Sequence, residues 1–371
     1  RFMEAAVVVD NGSDSIKAGF SGDDVPACIF PTLISKSHTC TFIGDNVLCE
    51  KNLIHSTSTV IDKGIITNWS NMEDIWNYIF TDKLGINVHE RNVFLSDSAV
   101  NTIENREKMI EIMMETFQSP ATYIDNTSSL SLYASGRVTG LVIDSGQRKT
   151  NIVPIYQGFT IKKAIQSMDI GGEDLTDYLI TLFGKKGYSF ASARERYLFK
   201  DKALLSYDYK YARDIKEKLG EVLCNDKNNN RKEVYYELPD NQVIIVGNER
   251  YQCTEPLFQP SLIGSESNNI IDTIKESITK VARDIQQPFY SNIVLSGGNS
   301  AFPGLSERIK TELTNISSPL SRIKLSFSLE GERKYYPWMG GAIITSIPSF
   351  DIMWITKEEY NEYGNSIIFK K

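Results

Sequence analysis

Two short apolar runs along the chain end the same way. Ala6-Val7-Val8-Val9-Asp10 runs into Asn11-Gly12-Ser13, and Leu141-Val142-Ile143-Asp144 runs into Ser145-Gly146. An unbroken apolar run of this length is the mark of a strand buried on both faces, and the Asp followed by Gly and Ser marks a tight turn. Each turn leads to a second strand, Ile16 to Phe20 in one copy and Asn151 to Tyr156 in the other. The repeat predicts two related α/β lobes facing one another. A third run, Asn292-Ile293-Val294-Leu295-Ser296-Gly297-Gly298, is a strand that ends in a diglycine; Pro303 then opens a helix over residues 304–313.

Between these units the apolar spacing changes from two to about 3.6 residues. Met72, Ile75, Trp76, Ile79 and Phe80 form one face of a helix over 68–80; Met109, Ile112, Met113 and Phe117 do the same over 103–117. Helices are also predicted over 209–223 and 270–285, and residues 226–232 form a polar loop. These apolar stripes are core positions, with no chemistry of their own.

Serine and glycine turns aim several backbone N–H groups at one point, which is how proteins hold phosphate oxygens. Two such turns facing each other, each preceded by an Asp, place Asp10 and Asp144 across a gap suited to a hydrated divalent cation. Lys17 follows Ser13 closely enough to reach a phosphate as a point charge.

Composition narrows the reading further. The 371 residues suffice for two full cores, and a net charge of −7 argues against a nucleic acid as direct ligand. No stretch has the length of apolar residues that a membrane span needs, and no secretory signal pattern is visible. The five cysteines are scattered, with no Cys-x-x-Cys, so disulfides are not expected and a reducing compartment fits. His38, Cys40, Cys49 and His55 are metal-ligand types lying close together, but their spacing fits no zinc module. Sequons at Asn11, Asn68, Asn126 and Asn315 carry no weight without a secretory route.

Further motifs carry a specific resemblance. Asp10-Asn11-Gly12-Ser13, Lys17-Ala18-Gly19-Phe20, Gly22-Asp23-Asp24, Thr67-Asn68-Trp69 and Asn105-Arg106-Glu107-Lys108-Met109 occur in order along the first part of the chain. They are followed by Leu132-Tyr133-Ala134-Ser135-Gly136-Arg137, Val153-Pro154-Ile155-Tyr156, Asp174-Leu175-Thr176-Asp177-Tyr178-Leu179 and Arg213-Asp214-Ile215-Lys216-Glu217-Lys218-Leu219. Gly247-Asn248-Glu249-Arg250, Leu295-Ser296-Gly297-Gly298, Glu332-Arg333-Lys334-Tyr335, Gly340-Gly341 and Met353-Trp354-Ile355 complete the set. In these blocks the chain resembles the actin family from end to end, as a divergent, actin-related member.

The resemblance implies an α/β, actin-like ATPase fold of two ribonuclease-H-like lobes around a central nucleotide cleft. It divides the chain into a first-lobe large subdomain (1–31, 60–134 and 336–371) and a small one with a shortened loop (32–59). The second lobe has a large subdomain (135–170 and 266–335) and a small one (171–265). It implies ATP or ADP with Mg²⁺ or Ca²⁺ as cofactors. The nucleotide would contact Gly12, Ser13, Asp14, Ser15 and Lys17 on one loop and Gly146, Gln147 and Arg148 on the other. Gly172, Lys216, Glu217, Gly298, Ala301, Phe302 and Lys334 would line the adenosine end, with Asp10 and Asp144 holding the metal through water.

The departures from the family pattern sit at the phosphate end. Asp14 stands for the second glycine of the first loop, and Gln147-Arg148 stands for Asp-Gly in the second. Thr127 takes the place of the glutamine that positions the attacking water, and Asn151 that of the assisting histidine, leaving Asp144 as the remaining catalytic group. The expectation is a slow ATPase at most. Asp14 and Arg148 lie on the facing loops and are expected to pair, either balancing charge beside a phosphate or replacing the phosphates as a clamp.

The segment from Pro31 to Gly64 is shorter than in actin, and Lys63 stands where many actins carry a methylated histidine. Residues 194–211 form an insertion, and the loop around Leu262-Ile263-Gly264-Ser265 keeps apolar character for a filament contact. Tyr133, Ala134, Gly136, Ile343, Ile344, Ile347 and Met353 match a groove that takes amphipathic helices, so protein partners, actin or actin-related subunits among them, are expected. The leading expectation is a cytoplasmic, cytoskeleton-associated or nuclear component of a protein complex with impaired hydrolysis. The alternatives are a filament-forming actin with active ATPase and, more remotely, a small-molecule kinase of the same superfamily.

Overall fold

The computed structural model describes residues 4–37, 40–49, 57–190, 207–224, 232–238, 241–326 and 330–370. His38 and His55, most of the 194–211 insertion and most of the polar loop 226–232 lie outside them, as does the side chain of Cys49.

Both expected strand–turn–strand units form, each in the middle of its own sheet. The first sheet has six strands in the order Ile355–Thr356, Ala121–Asn126, Val93–Asp97, Val7–Asn11, Ser15–Phe20, Cys28–Pro31. The second runs Phe159–Thr160, Thr150–Tyr156, Gly140–Ser145, Ile293–Ser296, with Gln166–Met168 also paired to Thr150–Tyr156. In each, the leading strand of the hairpin is antiparallel to its hairpin partner and parallel to the strand on its other side. The registers correspond: Asp10 lies opposite Lys17 and Asp144 opposite Asn151.

The continuous apolar runs are explained by burial on two faces. Val7 and Val9 enter one core with Ile16, Ile61, Ile66 and Trp76, whereas Val8 faces Phe94, Leu130, Trp338 and Ala342. In the second lobe Leu141 and Ile143 face Leu295 and Ile309, and Val142 faces Leu132, Val294 and Tyr336. Helices Thr127–Ala134 and Tyr336–Thr345 are therefore wedged between the sheets, Leu130 and Trp338 against the first, Leu132 and Tyr336 against the second.

Several helix bounds differ from expectation, each for a local reason. Asn68 and Thr102 cap helices Trp69–Tyr78 and Ile103–Glu111 by accepting hydrogen bonds from Asn71 N and Asn105 N, and both helices then widen into π-helical turns, Ile79–Lys83 and Ile112–Thr116. The helix expected over 209–223 spans Tyr207–Leu219. That expected over 270–285 stops at Thr279, and a separate helix covers Gln286–Ser291. The helix after Pro303 spans Leu305–Ile316. Smaller sheets flank the lobes: Thr41–Ile43, Leu33–Lys36 and Thr57–Thr59 beside the first, and the hairpin Val234–Glu237 with Val243–Val246 beside the second. Among the described residues no helix is long and apolar enough to cross a membrane.

Candidate functional site

The two hairpin turns meet across one cleft of about 510 Å³, within the range of small-molecule sites. Asp10, Gly12, Ser13, Asp14, Ser15 and Lys17 line it from the first lobe, with Gly146, Gln147, Arg148 and Asn151 from the second. Thr127 and Asp144 lie between them, and Lys216, Glu217, Gly298, Ala301, Phe302 and Lys334 line the other end. Of the residues singled out from the sequence, Gly172 alone stands just behind the wall, where its carbonyl accepts a 2.5 Å hydrogen bond from Lys216 Nζ.

Asp10 is buried and held on both oxygens. Ser96 Oγ donates to Oδ1 at 2.7 Å and Lys17 Nζ to Oδ2 at 3.1 Å. Burial works against the Lys17 ammonium, but Asp10, Asp14 and Asp144 outweigh it and hold the lysine above its ordinary pKa. Asn11 continues the strand into the turn, its N–H and amide donating to Ser96 while its carbonyl oxygen accepts from Trp76 Nε1 at 3.1 Å. The sequon asparagine is thus a buried framework residue.

Across the gap, burial pushes Asp144 up to about 6, opposed by the hydrogen bond that Thr127 Oγ1 donates to its Oδ2 at 3.1 Å. Asn126 caps the helix Thr127–Ala134 by accepting from Ser129 N at 2.9 Å, which is why Thr127 opens that helix within reach of Asp144. Asn151 Oδ1 accepts from Ser167 Oγ at 2.9 Å. The diglycine closes the floor: Gly297 has φ +83°, and a Cβ there would sit 2.3 Å from Ser145 O. At the far end Phe302 is buried, and burial lowers the Lys216 ammonium to about 8.

The expected pairing of Asp14 with Arg148 does not occur. Asp14 is forked by Arg213, whose two terminal nitrogens donate at 2.7 Å each, while Arg213 Nε donates to Glu217 at 2.7 Å. Arg148 instead donates to Asp62 Oδ1 at 2.9 Å and lies 3.0 Å from Glu173 Oε2. Both side chains stand at turn tips, where direction is set by the nearest opposite charge, and each finds one on the facing lobe. Gln147 is drawn away as well, its amide donating to Tyr209 OH at 2.5 Å. Arg213, Lys63, Lys149, Asn299 and Tyr335 also line the cleft. Arg213 lies one helical turn before Glu217 on the same helix, but neither its reach to Asp14 nor that of Asp62 to Arg148 carried a sequence signal.

Among the described residues no three His, Cys, Asp or Glu side chains gather as a direct metal cage. Asp10 and Asp144 both line the cleft, and both Asp10 oxygens are already engaged, so any cation here would be reached through water. Two half-repeated sheets with an Asp-ended hairpin each, meeting over one cleft, define the actin-like ATPase class of fold. The family model described as Actin matches residues 3–371, and the chain belongs to the actin family, whose members generally bind a nucleotide with a divalent cation.

Proposed function

We propose that the cleft binds ATP or ADP with a divalent cation and that the protein serves as a component of a cytoskeletal or other multiprotein assembly, hydrolysing ATP slowly if at all. The observation that carries this reading is the polarity of the cleft. Asp10, Lys17 and Asp144 meet the serine–glycine turns at one end, and Lys216, Glu217 and Phe302 stand at the other. A bound Mg²⁺ or Ca²⁺, held through water by Asp10 and Asp144, would supply charge neutralisation of the phosphates. Phe302 offers a ring face for adenine.

The hydrolytic reading rests on what Thr127 and Asn151 can do. The Thr127 hydroxyl is short and spends its proton on Asp144, and Asn151 has no basic nitrogen to accept a proton from water. Loss of a positioned nucleophile removes several kcal/mol of barrier reduction, on the order of what proximity supplies. Partners would approach the groove where Ile343 and Ile347 are exposed and Tyr133, Ile344 and Met353 are half-buried.

The test is to release and identify the nucleotide from freshly purified protein by denaturation and ion-exchange chromatography. Intact ATP is the expected result. Mostly ADP would overturn the hydrolytic reading, and a protein that neither carries nor takes up adenine nucleotide would overturn the binding reading.

A further inference from the structure

Because the two hairpins share one register, Asp14 and Arg148 occupy the same position, four residues beyond Asp10 and Asp144 respectively. What each touches is also related. Asp14, on the first sheet's hairpin, is held by Arg213, whose helix packs Ala212 and Ile215 into a second-lobe core with Leu179 and Phe183. Arg148, on the second sheet's hairpin, is held by Asp62, whose own short hairpin packs Ile61 and Ile66 into the first-lobe core with Val7 and Val9. Each turn tip thus crosses the cleft to the opposite lobe, with opposite charge in the two directions.

The Asp62 end is built to reach. Ile61–Asp62 and Ile65–Ile66 are joined by a two-residue turn, Lys63-Gly64, with φ of +48° and +83°. From this tip Asp62 meets Arg148, Lys63 meets Asp169 at 3.2 Å, and Gly64 N donates to Ser13 Oγ at 3.1 Å. Arg148 in turn is shared with Glu173, and Arg213 with Glu217, so each guanidinium is engaged by two carboxylates. The Asp14–Arg213 contact is the forked geometry in which a guanidinium binds most strongly and with the most defined direction.

We propose that Asp14–Arg213 and Arg148–Asp62 are reciprocal clasps that hold the two lobes closed by the protein's own charges and set the rate at which the cleft exchanges its ligand. The clasps are half-exposed, so salt weakens them. Rotation of the lobes apart must break both, as must entry or exit of a ligand between them. The exchange part of the proposal rests on the nucleotide reading above; the closure part does not.

The test uses Asp14→Asn, Asp62→Asn and the double variant, none of which changes side-chain volume appreciably. A fluorescent adenine triphosphate bound with Mg²⁺ is chased with excess unlabelled ATP. Release should be a few-fold faster in each single variant, more so in Asp14→Asn, which loses the forked pair, and faster again in the double. High salt should accelerate release from the parent protein more than from the double variant, in which the Lys63–Asp169 pair across the cleft remains. Simple repulsion between Asp14 and a phosphate predicts the opposite sign, slower release from Asp14→Asn, and that result would overturn the clasp, as would identical salt dependence in all four proteins.

Hydrogen exchange on ligand-free protein separates the two readings. Residues 11–16, 61–66, 145–150 and 207–219 should lose protection in the double variant. If the fluorescent nucleotide does not bind but protection falls, the clasp stands and the nucleotide reading fails. Unchanged protection overturns the clasp.

Discussion

Gly340→Ala is expected to lower the unfolding midpoint sharply, with a cost of about 3 kcal/mol or more, the upper end for overpacking. A Cβ at residue 340 would lie 1.9 Å from the carbonyl oxygen of Leu130 and 2.5 Å from its carbon. These are backbone atoms of the neighbouring helix, so no side chain can swing aside. Relief requires the helices Thr127–Ala134 and Tyr336–Thr345 to separate, and that pair is what both sheets rest on. Gly184→Ala is the control. It lies in the helix Gly172–Lys185 with nothing within 4 Å of the added methyl, and should be neutral or stabilising by roughly 0.5–1 kcal/mol. Chemical unfolding of the two variants beside the parent decides it. Equal midpoints for all three would mean that the two helices do not meet backbone to backbone in solution.

Asp125→Asn is expected to stabilise the protein at pH 8 and to do so much less at pH 5. Burial pushes the Asp125 carboxyl up to about 7; the backbone N–H of Asn126, donating at 2.7 Å, and the Arg106 guanidinium oppose this, and the Asp97 carboxylate adds to it. Arg106 is itself committed to Asp97, which it forks at 2.6 and 2.9 Å, so it offers Asp125 distant charge only. A carboxyl whose folded value lies above its unfolded one favours the folded state while protonated. Its contribution is complete below the ordinary carboxylate range near 4 and is lost as pH rises through about 7. The amide keeps the shape without the charge, so the variant should gain on the order of 2–4 kcal/mol relative to the parent between those pH values. Asp144, raised to about 6, contributes a slope of the same sign in both proteins and cancels in the comparison. Unfolding midpoints measured at pH 5 and pH 8 test this; parallel curves would show that another group titrates.

What was legible in the sequence follows from how far each signal reaches. The paired hairpins and their Asp endings were legible because a strand buried on both faces needs a continuous apolar run, and Val7–Val9 and Leu141–Ile143 supply one each. The cleft residues on the two hairpin turns were legible for the same reason, since a turn fixed at the end of such a strand has one place to go; Lys216, Glu217, Ala301, Phe302 and Lys334 at the far end were reached only through the family resemblance. The partners of Asp14 and Arg148 were not. A charged side chain at a turn tip chooses among carboxylates and guanidiniums brought near by the rest of the fold, and Asp62 and Arg213 are distant in sequence. The helix ends were blurred where π-helical turns extend the apolar spacing past the last α-helical residue, as after Tyr78 and Glu111. Asp125 was invisible because nothing in the strand Ala121–Asn126 distinguishes a covered carboxyl from an exposed one.

The wedge of two helices also constrains the order in which the chain can be made and folded. The first sheet takes its strands from residues 7–126 and then, after the whole second lobe, from Ile355–Thr356, while Trp338 donates to Val8 O at 3.1 Å from the returning helix. During synthesis the early strands therefore emerge with one edge unpaired and one face of Val8 and Phe94 uncovered until the last tenth of the chain arrives. The second sheet, whose strands all lie between residues 140 and 296, can pair its strands before then, although the face of Val142 and Val294 still waits for Tyr336. A lobe begun early and completed late presents open β-edges and apolar surface in the interval, and such intermediates bind chaperones or aggregate. The first sheet is therefore complete only when the strand Ile355–Thr356 and the helix Tyr336–Thr345 are both in place, whatever the length of the chain between its two parts.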